Sequence, residues 1–280
     1  MTKPEARRPR GRPRTIADSK TVKNVQSLER SLSLLKILSQ ADSQTLAELS
    51  QRAAMPTSTV HRILSTLSDN GFVQFFESDQ TWGIGVEAFR IGMGFQRRNQ
   101  LAIVGRGAMS DLMESSHETV NLGLLDQGEV VFVSQIECRQ TIRAFFRTGE
   151  RRAIHASGVG KALLSWMPRS KAADILHQKG MPRLTSHTIT DMETMFGALD
   201  LFRRQGWAVD DEEASSGMRC AAAAIFNEYG EAIAGVSVSG PSARLSLERI
   251  ASLGEMLLAT AGRITASIGG IKPSPLVNIV

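Results

Sequence analysis

The stretch from Thr45 to Phe72, TLAELSQRAAMPTSTVHRILSTLSDNGF, constrains the fold more than any other part of the chain. Leu46, Leu49 and Ala53 recur at the spacing of one helical face, and Val60, Ile63, Leu64 and Leu67 mark the core stripe of a second helix. Met55-Pro56 separates them, because proline cannot continue the first helix yet fits the start of the next. Thr57, Ser58 and Thr59 then place hydroxyls in the first turn, where free N–H groups need acceptors. The outward face carries Ser58, His61, Arg62 and Ser65, side chains that suit the major groove of DNA. An amphipathic helix pair is by itself compatible with plain packing. The residues after it narrow the choice. Asn70-Gly71 stops the helix, Phe72 to Phe76 reads as a strand, Glu77 to Gln80 as a polar turn, and Thr81 to Ile84 as the returning strand. Helix, turn, helix and hairpin predict a winged helix-turn-helix that contacts DNA through Thr57, Ser58, Thr59, His61 and Arg62.

With 280 residues the chain has room for a second, larger domain. Lys3, Arg7, Arg8, Arg10, Arg12 and Arg14 stand against Glu5 alone, a surplus that equals the formal net charge of +5. Residues 1–22 lack periodicity and are expected to be a disordered basic arm. Its piece Arg10-Gly11-Arg12-Pro13-Arg14 is narrow enough for the minor groove of A·T-rich DNA, although a solubilising tail would have a similar composition. The head is expected over 23–84. Its first helix, Val25 to Ala41, carries the stripe Leu28, Leu32, Leu35 and Leu38, widened by Leu34 and Ile37. A three-helix head needs only part of that surface, and the excess points to a homodimer. Residues 85–98, with Val86, Phe89, Ile91, Met93 and Phe95, read as a linker helix.

From Leu101 onward strands and helices alternate, and an α/β sensor domain is expected over 99–270, with a tail at 271–280. Thr119–Leu125, Val130–Ile136, Ile142–Phe146, Cys220–Phe226 and Ala232–Ser239 read as strands. Helices are expected over Leu101–Ser116, Ser157–Trp166, Ser170–Lys179, Asp191–Gln205 and Leu247–Ile268. The class is therefore α+β. Gly158-Val159-Gly160-Lys161 resembles a phosphate loop, but His155 and Ala162 occupy the places where that loop needs glycine and Ser/Thr. His155, Asp210 and Cys220 could form a nucleophilic triad, the basis of an alternative reading as a DNA-tethered enzyme. Their order matches no known elbow, and Cys220 opens an apolar run as a buried small thiol would. Asp210-Asp211-Glu212-Glu213 reads as a solvated loop rather than a metal site. Cys138 and Cys220 supply neither a zinc site nor a CxxC pair, and no apolar run is long enough to span a membrane. Neither metal nor cofactor is expected, and reduced cysteines suit the cytoplasm.

Six ordered blocks carry a family resemblance: MPTSTVHRIL, WGIG, ETVNLGLLD, HASGVGKALL, DDEEASSGMRC and VSVSGP. The chain resembles the IclR family of bacterial transcription regulators over essentially its whole length, nearest the acetate-operon, glyoxylate-responsive branch by NQLAIV, ETVNLGLLDQ and DDEE. The resemblance implies a winged helix-turn-helix, a GAF-like effector domain, and dimers that often pair into tetramers. It also implies an effector pocket at Gly158, Val159, Asp210, Cys220, Ser237 and Ser239. Gly158 and Val159 begin a helix, whose free N–H groups and dipole can receive a carboxylate. Ser237 and Ser239 share one face of a strand. The positions matching the family's apolar patch are Thr141, Ala144, Arg152 and Met218, of which only Met218 retains bulk. That departure favours glyoxylate over pyruvate as the small 2-oxo acid effector. The function expected is a ligand-responsive regulator, not an enzyme, on a near-palindromic double-stranded DNA operator.

Overall fold

The computed structural model describes residues 25–98 and 100–274. The basic arm, with Arg10, Arg12 and Arg14, lies outside the described residues, as does the tail beyond 274. The chain forms two compact units that divide between Phe95 and Gln96.

The first unit contains helices α1 (Gln26–Leu38), α2 (Leu46–Ala53) and α3 (Thr57–Asp69), and strands β1 (Gln44–Thr45), β2 (Val73–Phe76) and β3 (Thr81–Ile84). The strands form an antiparallel sheet in the order β1-β3-β2. β1 is an addition to the expected hairpin, too short to leave a period. Thr45 and Glu48 form a capping box that starts α2, and Ala54 ends it in the left-handed conformation. Leu34, Leu38, Leu49, Val60, Leu64, Val73 and Trp82 make the core. On α1 the buried side is therefore Leu34 and Leu38, while Leu28 and Leu32 are 56% and 49% exposed. The expected single stripe is in fact two faces, one buried and one open. Gly85 follows the wing, where a Cβ would come within 2.3 Å of the Gly71 carbonyl oxygen. Helix α4 (Val86–Arg98) comes next, where the sequence placed a linker helix.

The second unit is built on a six-stranded antiparallel sheet. Its strands are β4 (Thr119–Asp126), β5 (Glu129–Ile136), β6 (Arg151–Ala153), β7 (Trp207–Asp211), β8 (Met218–Phe226) and β9 (Ala232–Pro241), in the order β6-β5-β4-β9-β8-β7. Helices α5 (Leu101–Val104), α6 (Arg106–Ser116) and α10 (Leu247–Ser267) cover one face. Helices α7 (Gly158–Ser165), α8 (Arg169–Lys179) and α9 (Met192–Gln205) pack about the other. The alternation of β8 and β9 dictates this sandwich. Ala221, Ala223, Ile225, Ala234, Val236 and Val238 point into the α6–α10 core. Cys220, Ala222, Ser237 and Ser239 therefore face α7. Gly235 lets α7 approach, since a Cβ there would meet Val159 Cγ1 at 2.9 Å.

The expected helix Leu101–Ser116 is broken at Gly105 into α5 and α6, and further expectations fail in this unit. Ile142–Phe146 forms no strand, although Ala144 is buried between exposed Arg143 and Phe145. The β5 edge is taken instead by Arg151–Ala153, and the Phe146 ring packs against Phe132 at 4.9 Å between centroids. The four acids are not a solvated loop. Asp210 and Asp211 end β7, and Asp210 and Glu213 are buried.

Candidate nucleic-acid interface and effector cavity

Helix α3 exposes Thr57, Ser58, His61 and Arg62 and half-buries Thr59. Its N-cap is Pro56, and no side chain caps the first turn. The expected capping hydroxyls are committed elsewhere. Thr57 Oγ1 lies 3.2 Å from Ser50 Oγ, which donates to the Met55 carbonyl at 2.6 Å, so these groups fix the turn. The Thr59 N–H turns back to the Pro56 carbonyl at 2.9 Å, which leaves those of Thr57 and Ser58 for an acceptor from outside, as a phosphate would be. Ser65 donates back to the His61 carbonyl at 3.0 Å, which leaves His61 and Arg62 as the long polar side chains of the open face.

In the second unit the start of α7 opens onto a cavity of about 330 Å³. Strand register explains its polar lining. Asp210 pairs with Cys220, and Cys220 with Ser239, so three neighbouring strands place these groups in one cross-strand row. Gly158 sits above the row, where a Cβ would be 2.9 Å from Cys220 Sγ. Gly158, Asp210, Cys220 and Ser239 all line the cavity. Asn121 donates to Ser239 Oγ at 3.3 Å, so the serine hydroxyl can give its own proton to a ligand. Val159 and Ser237 are not at the cavity surface. The Val159 side chain belongs to the α7 core, and Ser237 lies one row further along β9, beside Ala222 and Asn121. Its hydroxyl is buried without a hydrogen-bond partner.

Asp210 accepts from the backbone N–H groups of Glu213 at 2.8 Å and Ala214 at 3.3 Å. Burial outweighs these donors and the nearby Lys161, and pushes its pKa up to about 6. Lys161, fully buried on α7, is ion-paired with Glu213. Both members stand in runs that the sequence singles out, a phosphate-loop look-alike and four adjacent acids, but nothing in the sequence pairs them. Thr185 and Thr188 donate to the Glu212 and Glu213 carbonyls at 2.7 and 2.8 Å, tying this turn to the loop after α8.

The walls are largely apolar. Phe132, Ala144, Phe146, Leu184 and Met218 line the cavity, whereas Thr141 does not. This corrects the expectation that the apolar patch is missing. Its bulk comes from Phe132, Phe146 and Leu184, contributed by β5 and two loops that matched positions do not capture. The nucleophilic alternative finds little support. His155 Nε2 donates to the Pro182 carbonyl at 3.1 Å, and burial pushes the Cys220 thiol up to about 11, away from the reactive thiolate. Among the described residues no group of three or more His, Cys, Asp or Glu could hold a metal ion, and no helix is long and apolar enough to cross a membrane.

Comparison with known proteins gives concordant matches. Residues 27–75 match the profile of the IclR helix-turn-helix domain, and residues 95–266 that of the bacterial transcriptional regulator IclR C-terminal domain. The chain is 40% identical over 261 residues to the HTH-type transcriptional regulator BhcR of Paracoccus denitrificans, covering 92% of this chain and 94% of that protein. It is 38% identical over 267 residues to the acetate operon repressor of Salmonella typhimurium, covering 94% and 97%. The crystal structure of the Thermotoga maritima IclR superposes with a TM-score of 0.72 at 26% identity, over 88% of this chain and 100% of that one.

Proposed function

The chain belongs to the IclR family of bacterial transcription regulators, and from that premise we propose that it senses a small 2-oxo acid, glyoxylate being the smallest, and controls genes of carbon metabolism accordingly. The observation that carries this reading is the row Asp210–Cys220–Ser239 beneath Gly158 at the start of α7. The ligand carboxylate lies on the first-turn N–H groups of Gly158 and Val159, favoured by the helix dipole. Ser239 donates to its oxygens, and Ser237 does so where a ligand reaches the deeper row. Asp210 faces the ligand as an acid or as an acceptor for the hydrated aldehyde of glyoxylate. The apolar walls accommodate the methyl group of pyruvate, so a missing patch is not the reason for ranking glyoxylate first. The reason is size and the hydrate's extra hydroxyls.

On the DNA side, Thr57, Ser58 and Thr59 approach the backbone while His61 and Arg62 read base edges. Arg10, Arg12 and Arg14 follow the minor groove. The open face of α1, with Leu28 and Leu32, packs on a second copy to give a homodimer or a tetramer, and two recognition helices call for a near-palindromic operator. Such a regulator works in the cytoplasm. The relative named as an acetate operon repressor supports carbon metabolism as the target.

Calorimetry with glyoxylate and pyruvate tests the reading. Binding is expected, with Ser239→Ala and Asp210→Ala each weakening it about tenfold or more, the scale of a hydrogen bond to a charged group. Absence of binding by either acid, or wild-type affinity in both variants, would remove the assignment.

A further inference from the structure

We infer that the cavity has a second anchor, Arg152, through which it also takes longer 2-oxo acids that carry a second carboxylate. This rests on the proposed function, in which one carboxylate occupies the Gly158–Ser239 end, and extends it to the remainder of the cavity.

The first observation is volume. A water takes about 30 Å³ of liquid, so a cavity of about 330 Å³ has room for a ligand larger than a two-carbon acid. A two-carbon acid leaves most of that space to water or to apolar walls. The second is position. Arg152 lies on β6 at one edge of the sheet, opposite Val130, whereas Ser239, Cys220 and Asp210 belong to the three strands at the other side. The same cavity is therefore bounded by polar groups that enter from different directions, with Phe132, Phe146 and Met218 among the walls. The third is an unfilled donor. Arg152 is ion-paired with Glu150 at 2.7 Å through Nη2, and its guanidinium lies 5.0 Å over the Phe146 ring. These contacts fix the plane of the group. Its Nε–H is nevertheless buried with no hydrogen-bond partner. A buried guanidinium N–H left unpaired is costly, and an acceptor arriving with the ligand removes that cost.

The arginines on the cavity wall differ in this respect. Arg219 is committed to Asp211 and to the Ser242 and Leu245 carbonyls, and Arg143 to Glu137. Arg152 has a defined orientation, a side chain about a third exposed, and one buried donor left unpaired. A carboxylate is the acceptor that gains most from it, because a charge-assisted hydrogen bond is the stronger kind. A five-carbon 2-oxo dicarboxylate carries a carboxylate at each end, and its methylene groups suit the Phe146 and Met218 surface.

The test compares ligands of equal length. Calorimetry is run on the full chain with 2-oxoglutarate, with 2-oxovalerate, which ends in a methyl group instead of the second carboxylate, and with glyoxylate. The wild type should bind 2-oxoglutarate more tightly than 2-oxovalerate by about tenfold, the scale of one charge-assisted hydrogen bond. Arg152→Leu should bring that ratio close to one, with thermal unfolding recorded to show that the variant is folded. Glu150→Gln removes the competing carboxylate, and should widen the ratio. A purely structural Arg152 would move both affinities together and leave the ratio alone. Glyoxylate binding without a preference for 2-oxoglutarate over 2-oxovalerate, or such a preference that survives Arg152→Leu, overturns the second anchor and spares the first. Failure of all three acids to bind overturns both.

Discussion

Asp210 lines the cavity and carries its titratable proton, with the buried Lys161 nearby. Asp210 sits above the ordinary carboxylate range because burial disfavours its charge. The folded chain therefore holds this proton more tightly than the unfolded one. Asp210 favours folding most at low pH, and that contribution is lost as the pH rises through about 6. Asparagine would keep an oxygen for the Glu213 and Ala214 N–H groups without the charge. Asp210→Asn should therefore gain stability relative to wild type as the pH is raised from about 4 to 7, by up to about 3 kcal/mol at about 1.4 per pKa unit. Melting curves across that range check it. The same proton relieves repulsion of an anionic ligand, so glyoxylate affinity should rise as the pH falls towards 6. Lys161→Met should destabilise by about 3–5 kcal/mol, because Glu213 is left buried and unpaired, and Glu213→Gln should recover part of the loss in the double variant. The pairing of Lys161 with Glu213 is illegible in the sequence for a physical reason. The two lie 52 positions apart, and no local period reports an ion pair closed by tertiary packing.

At the scale of elements, α3 carries the DNA account. Arg62→Ala should weaken operator binding about tenfold or more, since a base-edge contact contributes about 1–3 kcal/mol. His61→Ala should act in the same direction, with circular dichroism unchanged because both side chains are exposed. Filter binding at two salt concentrations separates base contacts from phosphate contacts, which alone change the salt slope. The elements with a clear hydrophobic period are the legible ones: α2, α3, β2, β3, β8, β9 and α10 each follow from spacing and a stop signal. The strand β7 is hidden because its inward alternation, Ala208 then Asp210, ends in acids that in most proteins are solvated. Ile142–Phe146 misleads in the opposite sense. Its alternation is real, but the inward side chains Ala144 and Phe146 wall the cavity, and the backbone that pairs with β5 is Arg151–Ala153. The cavity is therefore half legible. Its polar row lies on patterned strands, whereas its apolar walls and Arg152 come from segments brought together by the fold.

For the whole molecule, the ligand can alter transcription only if it binds one arrangement of the assembly better than another. On the proposal that Leu28 and Leu32 of α1, both exposed, make the contact between copies, the assembly is tested at the head. Leu28→Glu with Leu32→Glu should shift sedimentation towards monomer and abolish tight operator binding, since each half-site alone is weak. The central claim, that a 2-oxo acid in the cavity controls DNA binding, is tested most directly by one titration. The full chain is titrated onto the promoter beside its own gene, with and without saturating glyoxylate, followed by fluorescence anisotropy, for wild type and for Ser239→Ala. The account predicts that glyoxylate changes the wild-type operator affinity by about fivefold or more and leaves that of Ser239→Ala nearly constant at the same concentration. A wild-type affinity that glyoxylate does not change, or an equal response in Ser239→Ala, would contradict it.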